Sequence, residues 1–433
     1  MELLILGIDA GDEKIISAMN MPYLKTIMQH CISYETNEDL SSRGWAEMLS
    51  GKNGRETGAF YAKPKLDGTR ECTLSFDTHD YENNSNLLPL WKLINNCGKT
   101  IGFMNIPTTK YAPIIDGFFV SGAGGGLAGV DGIPEEFCYP KEVAPYLNEK
   151  GYVIDTRLMS SKIKDMDEWI DRLKLTMRKR TECYIGLQEK YSVDIGFIAY
   201  IATCRMQYLA MSEIKELISN DGVPKNEIQE KIIELFSYFD DLIEELVESV
   251  NPQNIMVVSD HAQSEYLYDV NVNYFLKDIG YWNDNKSDKA FGMFYQPGIY
   301  INDERFEGVV NTQNRDSIIC DIVERFNERP EAYRFGMKAR KYRNNYQNSA
   351  FEKLLPDIWI DSPETVFFLP WTDRFISYNH AYGPLYGLKE VTNEMNTGIK
   401  GRKALLYAPF KYNNIATDLT GVYEIISNYL SEG

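Results

Sequence analysis

An apolar run from Ile255 to Val258 ends in Ser259, Asp260 and His261. A short buried strand that delivers a carboxylate and an imidazole side by side at its carboxyl end fits the place where open α/β sheets put their chemistry. A second apolar run, ELLILGIDAGD, stops on Asp9 and turns through Ala10 and Gly11. Two acidic strand ends and a histidine predict one divalent cation between them, and that donor set suits Zn, Mn or, less well, Mg. A third stretch, DLSSRGWAEMLSGKNGRETGAF, sets Ser41 and Ser42 before a short helical pattern from about Gly44 to Ser50. A serine at a helix amino terminus is favoured as an alkoxide or beside a phosphate by the macrodipole and unpaired N–H groups. The same residue type is also a common N-cap.

The elements that must position these residues alternate between strand-like and helical runs. That order predicts an α/β fold with a mostly parallel central sheet sandwiched between helices. Strand candidates are Leu3 to Ile8, Thr100 to Met104, Gly117 to Val120, Ile195 to Ile201 and Ile255 to Val258, with Ala404 to Tyr407 returning late. The strongest helices run from Met166 to Tyr191 and from Lys225 to Val250, the second with apolar residues at three-to-four spacing and a solvated acidic face. We expect one domain over residues 1–433, a smaller lid-like subdomain over 308–361 and a surface loop over 283–289. The Gly-rich SGAGGGLAG from Ser121 lacks the Lys-Ser/Thr ending of a P-loop and is expected to be a connection near the site.

Composition narrows the function classes. With 433 residues, 44% hydrophobic and 25% charged, the chain can bury a large core. A net charge of −18 disfavours binding to nucleic acid or an anionic membrane, and an anionic phosphate ester would need a local positive site to enter. No apolar run approaches the ~20 residues of a membrane span. The first strand starts almost at once, without a basic n-region, so no secretory signal is expected. Seven cysteines without paired CxxC spacing read as free thiols, and the expected location is the cytoplasm.

Together the three motifs resemble the alkaline phosphatase superfamily, most closely its type I phosphodiesterase/nucleotide pyrophosphatase branch. In that branch an early strand ends in a metal-binding Asp, a Thr or Ser nucleophile lies ten residues before a Gly, and a later strand ends in Ser-Asp-His. Asp9, Ser41 with Gly51, and Ser259, Asp260 and His261 fit in that order. Similar stretches begin at Leu90, Arg180, Asn271, Tyr300 and Leu354, so the resemblance covers nearly the whole chain. It implies a metal-dependent phosphohydrolase acting on a small phosphate ester or diester. Ser41 would be the nucleophile, passing through a phosphoserine intermediate, with the cation on Asp9, Ser41, Asp260 and His261.

The departures from the pattern carry as much information. Two-metal members place an Asp and, four residues later, a His after a strand resembling IGFIAYIAT, where this chain has Cys204 and Tyr208. The last metal His of the family lies shortly before a late strand, where this chain reads TGIKGRKALLYAPF. The second metal site is therefore expected to be lost. Fixed donors must then meet the phosphoryl oxygens, with Arg43 placed best and Lys52, Asn105 and Arg205 behind it. Of the four histidines, His30 and His79 are expected to be structural or exposed, and His380 is the one candidate to reach the site from the C-terminal part. Two other readings stay open: a phosphoryl transferase on the same site, and a noncatalytic scaffold on the same fold. Oligomeric state is left open.

Overall fold

The computed structural model describes residues 1–122, 132–156, 165–285, 287–347, 349–385 and 395–432. Most of the Gly-rich segment from Ser121 lies outside these residues. The expected architecture is present: an eight-stranded sheet flanked by helices. Across it, the order is Ile32–Ser33, Leu406–Ala408, Asn254–Val258, Leu3–Ile8, Ile195–Tyr200, Ile101–Ile106, Gly117–Ser121 and Cys138–Tyr139. The five strands from Asn254–Val258 to Gly117–Ser121 pair in parallel, and antiparallel strands close both edges.

Parallel strands covered on both faces read as continuous apolar runs rather than alternations. Every residue of Leu3–Ile8, Ile101–Ile106 and Ile195–Tyr200 is buried. Within Leu3–Ile8, Leu4, Leu6 and Ile8 enter the core on one face while Leu3 and Ile5 enter that on the other. The helix Met166–Tyr191 has the bounds its periodicity predicts, and the second long helix spans Glu227–Val250, capped by the Asn226 side chain. No helix among the described residues is long and apolar enough to cross a membrane. All seven cysteines are unpaired.

The smaller unit is wider than the expected 308–361. Its antiparallel sheet runs Ala290–Gly292, Gly298–Ile301, Ile358–Asp361, Lys338–Lys341, and its core extends from Val270 to Phe375. Strand pairing sets that boundary: Ile299 pairs with Ile358, so a cut at 308 would divide one sheet. Among the described residues of 283–289, Asn283 N–H and Asn285 N–H both donate to the Asp288 carboxylate.

Candidate active site

The first strand lies between Asn254–Val258 and Ile195–Tyr200, all three running in the same direction. Their carboxyl ends therefore open side by side. Asp9 leaves the middle strand, Ser259-Asp260-His261 leave one neighbour, and the helix Ala202–Ser219 carrying Cys204 and Tyr208 leaves the other. Backbone hydrogen bonds lock the junction. Ala10 N–H donates to Asp260 Oδ1 at 3.2 Å, and Ser259 Oγ donates to the Gly11 carbonyl at 3.0 Å.

Asp9, Asp260 and His261 converge as their sequence positions predict, and all are buried. His261 Nε2 lies 3.4 Å from Asp260 Oδ2 and 3.9 Å from Asp9 Oδ1. His261 Nδ1 sits 2.6 Å from the Ala262 carbonyl, which assigns that nitrogen the proton and leaves a lone pair on Nε2. Burial, reinforced by the charge of Lys400, pushes the imidazole down to about 3, so it is neutral. Both carboxyls are raised, Asp9 by burial and then by Asp260, and Asp260 by burial. Nε2 has no hydrogen-bond partner among the described residues. An orphaned lone pair facing two buried carboxylates is electrostatically unfavourable unless a positive ion lies between them, so the residues fit a divalent cation.

Cys204 joins this cluster: its sulfur, an Asp9 oxygen and a His261 nitrogen lie within 4.8 Å of one another. Burial holds its thiol well above the usual range, with Asp9 adding to the effect, so in this structure it is a neutral S–H. Tyr208 faces His261 with ring centroids 6.4 Å apart, and burial likewise keeps its phenol protonated.

The helix Gly44–Ser50 packs directly on these strand ends. Trp45 Nε1 donates to Asp9 Oδ2 at 3.1 Å. A Cβ on Gly44 would stand 2.2 Å from the Asp260 carbonyl oxygen, so only glycine lets the helix approach this closely. The cap position belongs to Arg43, without a side-chain cap bond, so neither serine serves as N-cap. Ser42 Oγ instead accepts from Gly54 N–H at 2.9 Å. Ser41 is buried, and its hydroxyl donates to Asp39 Oδ1 at 2.8 Å. That oxygen also accepts the Ser41 and Ser42 N–H groups, while Asp39 Oδ2 pairs with Arg55 at 3.0 Å. Sequence reasoning missed Asp39, although an Asp two residues before a serine is a common turn signal.

The other expected phosphate-binding residues are engaged elsewhere. Arg43 is buried, but its guanidinium donates to the carbonyls of Phe60 and Leu74 and lies 5.8 Å from the Tyr61 ring centroid. Lys52 is exposed and pairs with Glu56. Asn105 is fully buried on its strand, with its amide satisfied by Arg180, Tyr152 and the Ile154 carbonyl. Arg205 is held by Asp155 at 2.5 Å, close enough for its charge to reach Asp9 and His261. His380 is exposed, faces the Tyr378 ring at 6.3 Å and touches none of the cluster.

In its place the C-terminal part contributes Lys400. The strand Gly398–Gly401 pairs antiparallel with Ala262–Glu265, the direct continuation of Ser-Asp-His, with Lys400 opposite Gln263. Lys400 Nζ comes 4.0 Å from Asp260 Oδ2 and 4.2 Å from the Tyr61 ring centroid. It lines a cavity of about 70 Å³ with Asp39, Tyr295, Trp359, Phe367 and Arg402, one wall of which comes from the smaller unit.

The mostly parallel, helix-covered sheet of this chain is the alkaline phosphatase-like fold. It is similar over its full length to murine ectonucleotide pyrophosphatase/phosphodiesterase 5, solved as an inactive variant in complex with AMP. The identity is 12%, the TM-score 0.54, and the match covers 100% of this chain and 95% of that one. The human counterpart matches at 11% identity and TM-score 0.53 with the same coverage. Phosphonoacetate hydrolase from Sinorhizobium meliloti, in complex with phosphonoformate, matches at 12% identity and TM-score 0.55, covering 99% and 95%. By sequence, no protein-family model and no curated protein matches.

Proposed function

We propose that this protein is a metal-dependent phosphohydrolase, cleaving a phosphodiester, pyrophosphate or phosphomonoester, with Ser41 as nucleophile and one divalent cation on Asp9, Asp260 and His261. The observation that carries this reading is the unpartnered His261 Nε2 aimed between two buried carboxylates at the mouth of the sheet. The ligands bound in the structural neighbours, AMP and phosphonoformate, support a small phosphoryl substrate.

A divalent cation at these donors would supply Lewis acidity to the phosphoryl group and favour ionisation of a nearby hydroxyl. Asp39 Oδ1, which already accepts the Ser41 hydroxyl hydrogen, takes that proton as Ser41 Oγ bonds to phosphorus. The bond from phosphorus to the leaving oxygen breaks with its electron pair staying on that oxygen, which is protonated by solvent as it departs, and a phosphoserine remains. Water then attacks phosphorus and gives one proton to solvent, and Ser41 Oγ leaves with the bonding pair and regains its proton from Asp39. Trp45 keeps Asp9 oriented throughout, and the Ser259 bonds keep Asp260 and His261 at the strand mouth. Transfer to an alcohol uses the same residues and differs only in the acceptor.

The test is elemental analysis of the purified protein, with hydrolysis of a chromogenic phosphodiester and monoester under added Mn, Zn and Mg. We expect bound metal and turnover that Ser41→Ala abolishes while keeping the metal. A fully active Ser41→Ala variant would make water the nucleophile. No metal and no turnover with any of these ions would instead favour a scaffold. An added alcohol that diverts product would identify a transferase.

A further inference from the structure

We propose that the ammonium of Lys400 is the second positive charge of this site, binding a nonbridging phosphoryl oxygen, so that the chain operates with one metal ion. The inference rests on the phosphohydrolase reading above and adds a substrate-binding residue to it.

A phosphoryl group carries negative charge on its nonbridging oxygens. Its oxygens must meet positive charge or donors on the side away from the nucleophile's metal. Arg43 is anchored by two backbone carbonyls, Arg205 is held by Asp155, Lys52 is paired at the surface, and Asn105 is satisfied in the core. Lys400 differs from all four. Its side chain is 13% exposed, and its nearest acid, Asp260 Oδ2, is at 4.0 Å, the outer limit of an ion pair. Among the described residues its Nζ makes no hydrogen bond, so three N–H donors are available beside an open cavity.

The position of Lys400 adds to this. It lies in the stretch ahead of the late strand, on a strand pinned to the continuation of Ser-Asp-His. The residues that stand where two-metal relatives have an Asp and a His are Cys204 and Tyr208, both buried beside His261. Neither side chain offers positive charge to the oxygens of an anionic phosphoryl group. The ammonium supplies the missing charge, and its repulsion of a second divalent ion excludes that ion from the same place. Tyr61, whose ring lies under the ammonium, positions it without neutralising it.

The experiment pairs metal analysis with calorimetric titration of inorganic phosphate into the metal-loaded protein, for wild type, Lys400→Met and Lys400→Arg. Wild type is expected to hold one metal per chain and to bind phosphate. Lys400→Met should keep the metal and bind phosphate roughly tenfold or more weakly, as expected for a lost charge-assisted hydrogen bond. Lys400→Arg should recover part of the affinity, which also shows that a loss in the methionine variant is not misfolding. Two metals per wild-type chain, or wild-type phosphate affinity in Lys400→Met, would overturn the Lys400 assignment and leave the Ser41 reading standing. A wild-type protein that takes up neither metal nor phosphate would overturn both.

Discussion

Replacing Glu47 by glutamine removes a proton held beneath the turn at Ser41. Glu47 lies on the helix that follows Ser41, and Glu38 immediately precedes Asp39. Both are buried, and their carboxyls face each other. Glu38 also accepts the Leu419 N–H at 2.8 Å, whereas one Glu47 oxygen has no hydrogen-bond partner among the described residues. Burial pushes Glu38 from the usual 4.5 up to about 8, and burial together with Glu38 raises Glu47 further. The folded protein therefore keeps a proton that the unfolded chain has released above about pH 4.5. The pair's contribution to stability is fully present below that pH and is lost as pH rises toward about 8. For one proton the slope is about 1.4 kcal/mol per pH unit, so ionising Glu38 across the window costs on the order of 5 kcal/mol. In Glu47→Gln the amide can still donate to Glu38 but carries no titrating proton, so the part of the pH dependence that comes from Glu47 is removed while Glu38, still buried, keeps its own. Denaturant unfolding of both proteins at pH 5, 6, 7 and 8 measures the difference. We expect wild type to lose stability relative to Glu47→Gln at each step upward. Parallel stability curves would refute a retained proton.

Two further outcomes follow from the site. Asp260→Ala should lose the metal while retaining the fold, because the residue stands at the mouth of the sheet; unchanged metal content by elemental analysis would remove Asp260 from the ligand set. Asp39→Asn keeps an oxygen for the two N–H groups but cannot take the Ser41 proton. Its turnover should fall by about a hundredfold or more with metal content unchanged, and a kcat equal to wild type would exclude Asp39 as the base.

Much of the fold and half of the site were legible in the sequence because both depend on local patterns. Buried parallel strands are uninterrupted apolar runs, so Leu3–Ile8 and Asn254–Val258 declare themselves, and the acids that end them must emerge at the same sheet edge. Asp9, Asp260, His261 and the helix after Ser41 could be placed from such runs alone. What individual cations do could not. Arg43 and Arg205 have the right charge near the right motif, but their guanidinium groups are anchored by carbonyls of Phe60 and Leu74 and by Asp155, partners 17 to 50 residues away. Lys400 shows the converse. In sequence it is one basic residue among several in TGIKGRKALLYAPF, and only its antiparallel pairing with the strand after His261 carries its ammonium to Asp260. Strand ends follow from chain-local hydrophobicity, whereas the direction and saturation of a long polar side chain depend on which distant groups the fold sets beside it.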